Sequence, residues 1–153
     1  MKLKTILSAM IFGGLLLVLL PLLFISANIY LGFPVIKDLQ LLGVILILSG
    51  FLLVGYCISL FFRIGQGTPV PAEPPKKLVI RGIYKYSRNP IYIAWFVVLV
   101  GEFLTLGYVL QLVYAIITLI FFNFLVIYVE EPKLKSRFGK EYLEYIKTVP
   151  RWL

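Results

Sequence analysis

The chain has no histidine and one cysteine, and only 7 of its 153 residues are acidic. Each shortage removes a class of chemistry. Without histidine there is no imidazole general base, no Ser-His-Asp relay, no haem ligation by His and no ordinary zinc site. Cys57 stands alone inside an apolar run, so neither an intrachain disulfide nor a thiolate cluster for a metal can form. No metal is expected. Charge is also scarce, at 14% of residues, against about 25% in soluble domains. Any chemistry falls to Glu, Asp, Tyr, Arg, Lys or Asn.

What fills the space is apolar. Hydrophobic residues make up 61% of the chain, well above the roughly 45–50% of soluble domains. They gather in segments 6–29, 39–62, 91–106 and 109–129. A helix needs roughly 20 apolar residues to cross the hydrocarbon core. The first, second and fourth segments meet that. The third is short and carries Glu102, and Leu106-Gly107-Tyr108 turns it at once into the fourth. The expectation is a single all-α integral membrane domain over 1–153. It has four transmembrane helices, of which the third and fourth form a helical hairpin. Lys2 and Lys4 ahead of the first segment also suit a signal peptide. Its apolar stretch exceeds the roughly 7–15 residues of a signal sequence and no clean Ala-x-Ala site follows, so it is read as retained.

The net charge of +8 does not point to nucleic acid, because the basic residues lie between apolar runs. The 63–89 loop holds Arg63, Lys76, Lys77, Arg81, Lys85 and Arg88. The tail, 130–153, holds Lys133, Lys135, Arg137, Lys140, Lys147 and Arg151, whereas the first connection has only Lys37. By the positive-inside rule this loop and both termini are cytoplasmic.

Gly65 and Gly67 do not open a dinucleotide loop. Val70 stands where the fingerprint needs its third glycine, and no strand–helix unit surrounds them. Pro69, Pro71, Pro74 and Pro75 make the next stretch extended and stiff, a linker or a strap over a site. After Pro132, Leu134, Phe138, Tyr142 and Tyr145 fall on one face of an amphipathic helix. Such a helix lies in the interface or docks on the hairpin.

Residues 81–95 read RGIYKYSRNPIYIAW. Pro90 suits the first turn of a helix, and Asn89 or Ser87 is expected to cap it. That helix start, with Arg88, suits a carboxylate or phosphate. Tyr84 and Tyr92 add ring faces. If the third and fourth segments pair, Glu130-Glu131 comes beside Arg88, Asn89 and Tyr92, and carboxylates with aromatic faces suit a cationic cofactor. The plainer reading makes Lys, Arg, Tyr and Trp interfacial anchors and pairs the glutamates with Arg88 or tail lysines. Glu102, costly in hydrocarbon, is expected to pair with Tyr108 or Gln111.

Gly82-Ile-Tyr84-Lys-Tyr-Ser-Arg88-Asn89-Pro90-Ile-Tyr92, followed by Glu130-Glu131-Pro-Lys-Leu134, Phe138-Gly139-Lys-Glu-Tyr142-Leu-Glu-Tyr145 and Val149-Pro150-Arg151, resembles paired signatures of the integral-membrane methyltransferases. These are the isoprenylcysteine carboxyl methyltransferase and phospholipid N-methyltransferase superfamily. Gly67-Thr68-Pro69 and Pro74-Pro75-Lys-Lys-Leu78-Val79 resemble its small bacterial members, so a prokaryotic plasma membrane is expected.

The resemblance implies S-adenosylmethionine as cofactor and a lipophilic methyl acceptor from the bilayer, a prenylcysteine-like carboxylate or a phospholipid-type amine. It places the cofactor against Leu78, Val79, Tyr84, the Asn89-Pro90-Ile91-Tyr92 turn and Glu130. Glu130, Glu131 and Arg88 become the candidate catalytic groups, one glutamate serving as base for an amine. Arg151 and Tyr145 become candidate substrate contacts. Two departures stand out. Asn89 replaces a histidine common in relatives and cannot titrate. Asn123–Val129 has no arginine, where the prenylcysteine enzymes carry one ahead of the glutamates, so a carboxylate acceptor is left with Arg151 or Arg88. The alternative is a non-catalytic lipid-binding or scaffold protein of the same fold.

Overall fold

The computed structural model describes residues 3–153. Lys2, counted above with the N-terminal charge, lies outside them. Helix α1 spans Leu3–Tyr30, α2 Gln40–Gly65 and α3 Pro90–Leu106. Helix α4, Val109–Leu125, runs through a wide π turn at Val126–Glu130 into α5, Glu131–Thr148. Among the described residues the only extended pairing is a bridge between Val35 and Tyr108. Among the described residues three helices are long and apolar enough to cross a membrane: α1, α2 and the α4–α5 rod. Helix α3 is shorter.

Helices α3 and α4 follow one another through Gly107, whose φ of +80° suits glycine. The hairpin is not the tightest contact in the bundle. Helix α3 packs most extensively along α2. Glycines make this possible. A Cβ on Gly50 would lie 2.6 Å from Val98 Cγ2, and one on Gly101 would lie 2.8 Å from the Gly43 carbonyl oxygen. Between membrane helices small residues replace the hydrophobic drive with close van der Waals contact.

Helix α1 is tied to α4 by polar groups. The Asn28 side chain accepts from the Leu110 N–H at 2.9 Å and donates to the Phe33 carbonyl at 2.9 Å. The cap of α4 therefore comes from α1. Tyr114 donates to the Leu16 carbonyl at 2.7 Å, within the π turn Leu15–Leu19. Gln111 donates to Glu102 at 2.7 Å, the pairing expected for that carboxylate. The apolar core beneath holds Leu16, Leu99, Tyr114, Ala115 and Phe122.

Pro132 does not begin a separate helix. It sits in the first turn of α5, directly after the π turn, which absorbs the lost hydrogen bond and ring clash. Helix α5 breaks instead at Gly139, with φ +50° and ψ −121°. Its apolar face docks on the loop before α3, where Leu78, Tyr142, Tyr145 and Val149 form a buried cluster flanked by Leu134 and Phe138.

Candidate active site

The loop ahead of α3 and the end of the chain form one polar cap. A short 3-10 turn, Gly82–Lys85, places Tyr84 inward, and the Tyr145 hydroxyl donates to the Tyr84 carbonyl at 2.6 Å. The next residues clamp the tail. The Arg88 N–H donates to the Pro150 carbonyl at 3.0 Å, and Ser87 Oγ and Asn89 Nδ2 donate to the Arg151 carbonyl at 3.3 and 2.9 Å. This corrects the capping expectation. Asn89 sits at the helix start but makes no side-chain cap bond, because its amide is engaged by the tail. Ser87 Oγ accepts from the Asn89 N–H instead.

Glu131 is the centre of the cap's charge. Its carboxylate accepts from Arg88 Nη1 at 2.9 Å, from Arg151 Nε at 2.7 Å and from Arg151 Nη2 at 3.2 Å. Burial acts to raise its pKa, but the Arg151 hydrogen bond and the charges of Arg88, Arg151 and Lys135 prevail and hold it below the usual value. Arg88 Nη1 also donates to the Tyr142 hydroxyl at 3.2 Å. Burial raises the Tyr84, Tyr142 and Tyr145 phenols, so all three stay neutral.

Glu130 faces another way. Its carboxylate accepts from the Tyr92 hydroxyl, and the Tyr92 ring lies 4.5 Å from that of Phe122 in the apolar core. Trp152 Nε1 donates to Asn123 Oδ1 at 3.0 Å, returning the chain end to α4.

A narrow cavity of about 60 Å³ opens inside the cap. Of the residues named from sequence, Leu78, Val79, Tyr84, Arg88, Asn89 and Tyr145 line it together. Pro90 is buried at the start of α3, and Ile91 packs on the cluster of Cys57, Leu60, Val79 and Tyr84. Tyr92, Glu130, Glu131 and Arg151 stand outside the lining. Phe61, Pro75, Leu134, Phe138 and Tyr142 complete it. Three of these lie on the apolar face of the tail helix, so their period marked the surface without revealing what it covers.

The lining suits a nucleoside cofactor with an amino-acid arm. Leu78 and Val79 offer an apolar wall, Tyr84 a ring whose hydroxyl meets the Cys57 thiol, and Arg88 Nε is buried without a hydrogen-bond partner. Unpaired buried donors are costly unless something answers them. The volume is below the roughly 300 Å³ at which ligand pockets begin, so admitting such a molecule requires a wall to move. Leu134 and Phe138 lie between the π turn and the Gly139 break.

The fold is similar to a solved structure of a eukaryotic intramembrane Ras methyltransferase, the isoprenylcysteine carboxyl methyltransferase. The TM-score is 0.57 at 27% identity over 74% of this chain. The chain spans 41% of that protein's length. No curated protein matches it. A family model described as phospholipid methyltransferase matches residues 39–141, from the start of α2 through the kink of α5, and this integral membrane protein belongs to that family.

Proposed function

We propose that the chain is an S-adenosylmethionine-dependent methyltransferase acting on a lipophilic acceptor from the bilayer. In this reading α1–α4 are four spans, α5 is a cytoplasmic helix, and both termini and the polar cap face the cytoplasm of a prokaryotic cell. The observation that carries the reading is the unpartnered donor Arg88 Nε in a cavity walled by Leu78, Val79 and Tyr84.

S-adenosylmethionine, when bound, supplies an electrophilic methyl group on a sulfonium. Everything else is positioning, which in-line transfer rewards. Leu78 and Val79 wall the adenine, Tyr84 presents its ring and hydroxyl, and Arg88 Nε takes the carboxylate. Glu131 holds the Arg88 guanidinium in place and is neutralised in doing so. It is therefore a positioning residue, and the base falls to Glu130. Arg151 and Tyr145, candidate substrate contacts from sequence, are engaged by Glu131 and by the Tyr84 carbonyl. We assign them to holding the tail. A carboxylate acceptor needs no base. A lipid amine must lose a proton, and Glu130, hydrogen-bonded to Tyr92, receives it.

S-adenosylhomocysteine binding in detergent and in nanodiscs is the first test. Micromolar affinity, weakened in Tyr84→Phe, is expected. Glu130→Gln should keep that affinity and lose roughly 10²–10⁴-fold in transfer to an amine lipid. Full activity in Glu130→Gln removes the base. No binding in either medium favours the lipid-binding scaffold.

A further inference from the structure

A second opening adjoins the cavity, and Leu78 lines both. It is an open cleft of about 570 Å³ at the end of α2, within the range of ligand sites. Four cations border it: Arg63, Lys76, Lys77 and Arg81, against the single acid Glu141. Among the described residues none of the four makes an ion pair.

The cations stand on a fixed frame. Arg63 is in the last turn of α2. The Lys76 and Lys77 N–H groups both donate to the Gly65 carbonyl, at 2.7 and 3.1 Å. Gly67 passes so close to the strap that a Cβ there would lie 2.7 Å from Pro75 Cα. Gln66 is held at φ +53°, uncommon for a residue with a side chain. Basic residues are ordinary at membrane helix ends, but anchors need no concave frame. Ile64 and Ile80 share the lining, and exposed Phe62 precedes Arg63.

The geometry points to a binding site for the phosphate headgroup of an anionic membrane lipid, held by Arg63, Lys76, Lys77 and Arg81 with Ile64 and Ile80 against its glycerol end. S-adenosylmethionine is a poor occupant, because its sulfonium and ammonium outweigh its one carboxylate and the cleft is itself positive. A soluble phosphate has no use for the isoleucines or for a place at the end of an apolar helix. The site does not depend on the methyltransferase reading, since its occupant is neither cofactor nor acceptor.

The test is native mass spectrometry of the full chain in neutral detergent, titrated with phosphatidylglycerol or phosphatidylcholine. Retention of phosphatidylglycerol over phosphatidylcholine is expected. K76Q/K77Q/R81Q should weaken it by about tenfold or more, while K85Q/K133Q/K135Q, with the same charge removed elsewhere, changes it less than about twofold. Equal losses in the two triples overturn the site in favour of diffuse attraction. Glycerol 1-phosphate binding as tightly as the intact lipid overturns the lipid assignment in favour of a soluble anion. Should the cleft triple fail to run as a single species, Arg81→Gln alone serves, and unchanged retention there overturns the proposal. S-adenosylhomocysteine titrated into the same samples reports the cofactor cavity separately.

Discussion

The α2–α3 seam and the polar cap achieve close packing by opposite means. The seam brings backbones together over Gly43, Gly50 and Gly101, with the Thr105 hydroxyl tucked against Gly43 and bonded back to its own helix. The cap holds Ser87, Arg88, Asn89, Glu131, Tyr142 and Arg151 together through hydrogen bonds and ion pairs. In lipid there is no water to expel, so shape carries the contact. In the cap, oriented charge fixes side chains around the small cavity that Arg88 and Asn89 line. The lesson is that the seam fixes where α3 begins and the cap decides what its beginning can bind.

The sharpest way to break the cap is Glu131→Ala. It strands Arg88, with 10% side-chain exposure, and Arg151, with 33%. Removing one partner of a buried pair costs about 3 kcal/mol. Thermal unfolding should fall accordingly, and Trp152 emission should report a released tail. A change below about 1 kcal/mol would place Glu131 with ordinary surface ion pairs. Acid should act on the same contact. Because the folded pKa of Glu131 is lowered from 4.5, its stabilisation is complete above that value and is lost as pH falls through the folded one. A Trp152 transition centred above pH 4.5 would contradict the assignment.

The seam should respond to size and ignore pH. Gly101→Val pushes a side chain into the Gly43 carbonyl and the Ile47 backbone and should cost about 2 kcal/mol by overpacking, unchanged between pH 4 and 7. A penalty for that variant, measured against the unsubstituted protein, that changed with pH would blur the contrast. The smallest effect is expected where a polar pair sits inside the apolar half. Gln111→Leu removes the Glu102 contact and also a buried carbonyl oxygen with no partner. A net change of about 0.6 kcal/mol is expected, the mean for such bonds between membrane helices. A loss as large as that of Glu131→Ala would make Glu102 part of a network.

Hydropathy made the apolar helices legible, and the 3.6-residue period made α5 legible, because both signals are local. The residues of the cap were named in one short list because they fall in two compact stretches of sequence. Their division of labour was not visible. Glu130 and Glu131 are chain neighbours, yet one meets Tyr92 and the other two arginines, a divergence set by the π turn between α4 and α5. Asn89 looks like a cap until the Arg151 carbonyl, 62 residues away, engages it. The seam was hidden because Gly43 and Gly50 carry no hydrophobic signal; only their partners on α3 give them meaning.

The bond from Leu110 to Asn28 spans 82 residues, and it carries a consequence for biosynthesis. Helix α1 leaves the ribosome long before α4 exists, so this bond forms only once both have been made. The first turn of α4 leaves N–H groups without partners inside the helix, and Asn28 Oδ1 answers the one on Leu110. The placement of α1 is thereby coupled to the start of α4. The matched family region starts at residue 39, so the acceptor of this bond lies in the part of the chain that the match leaves out.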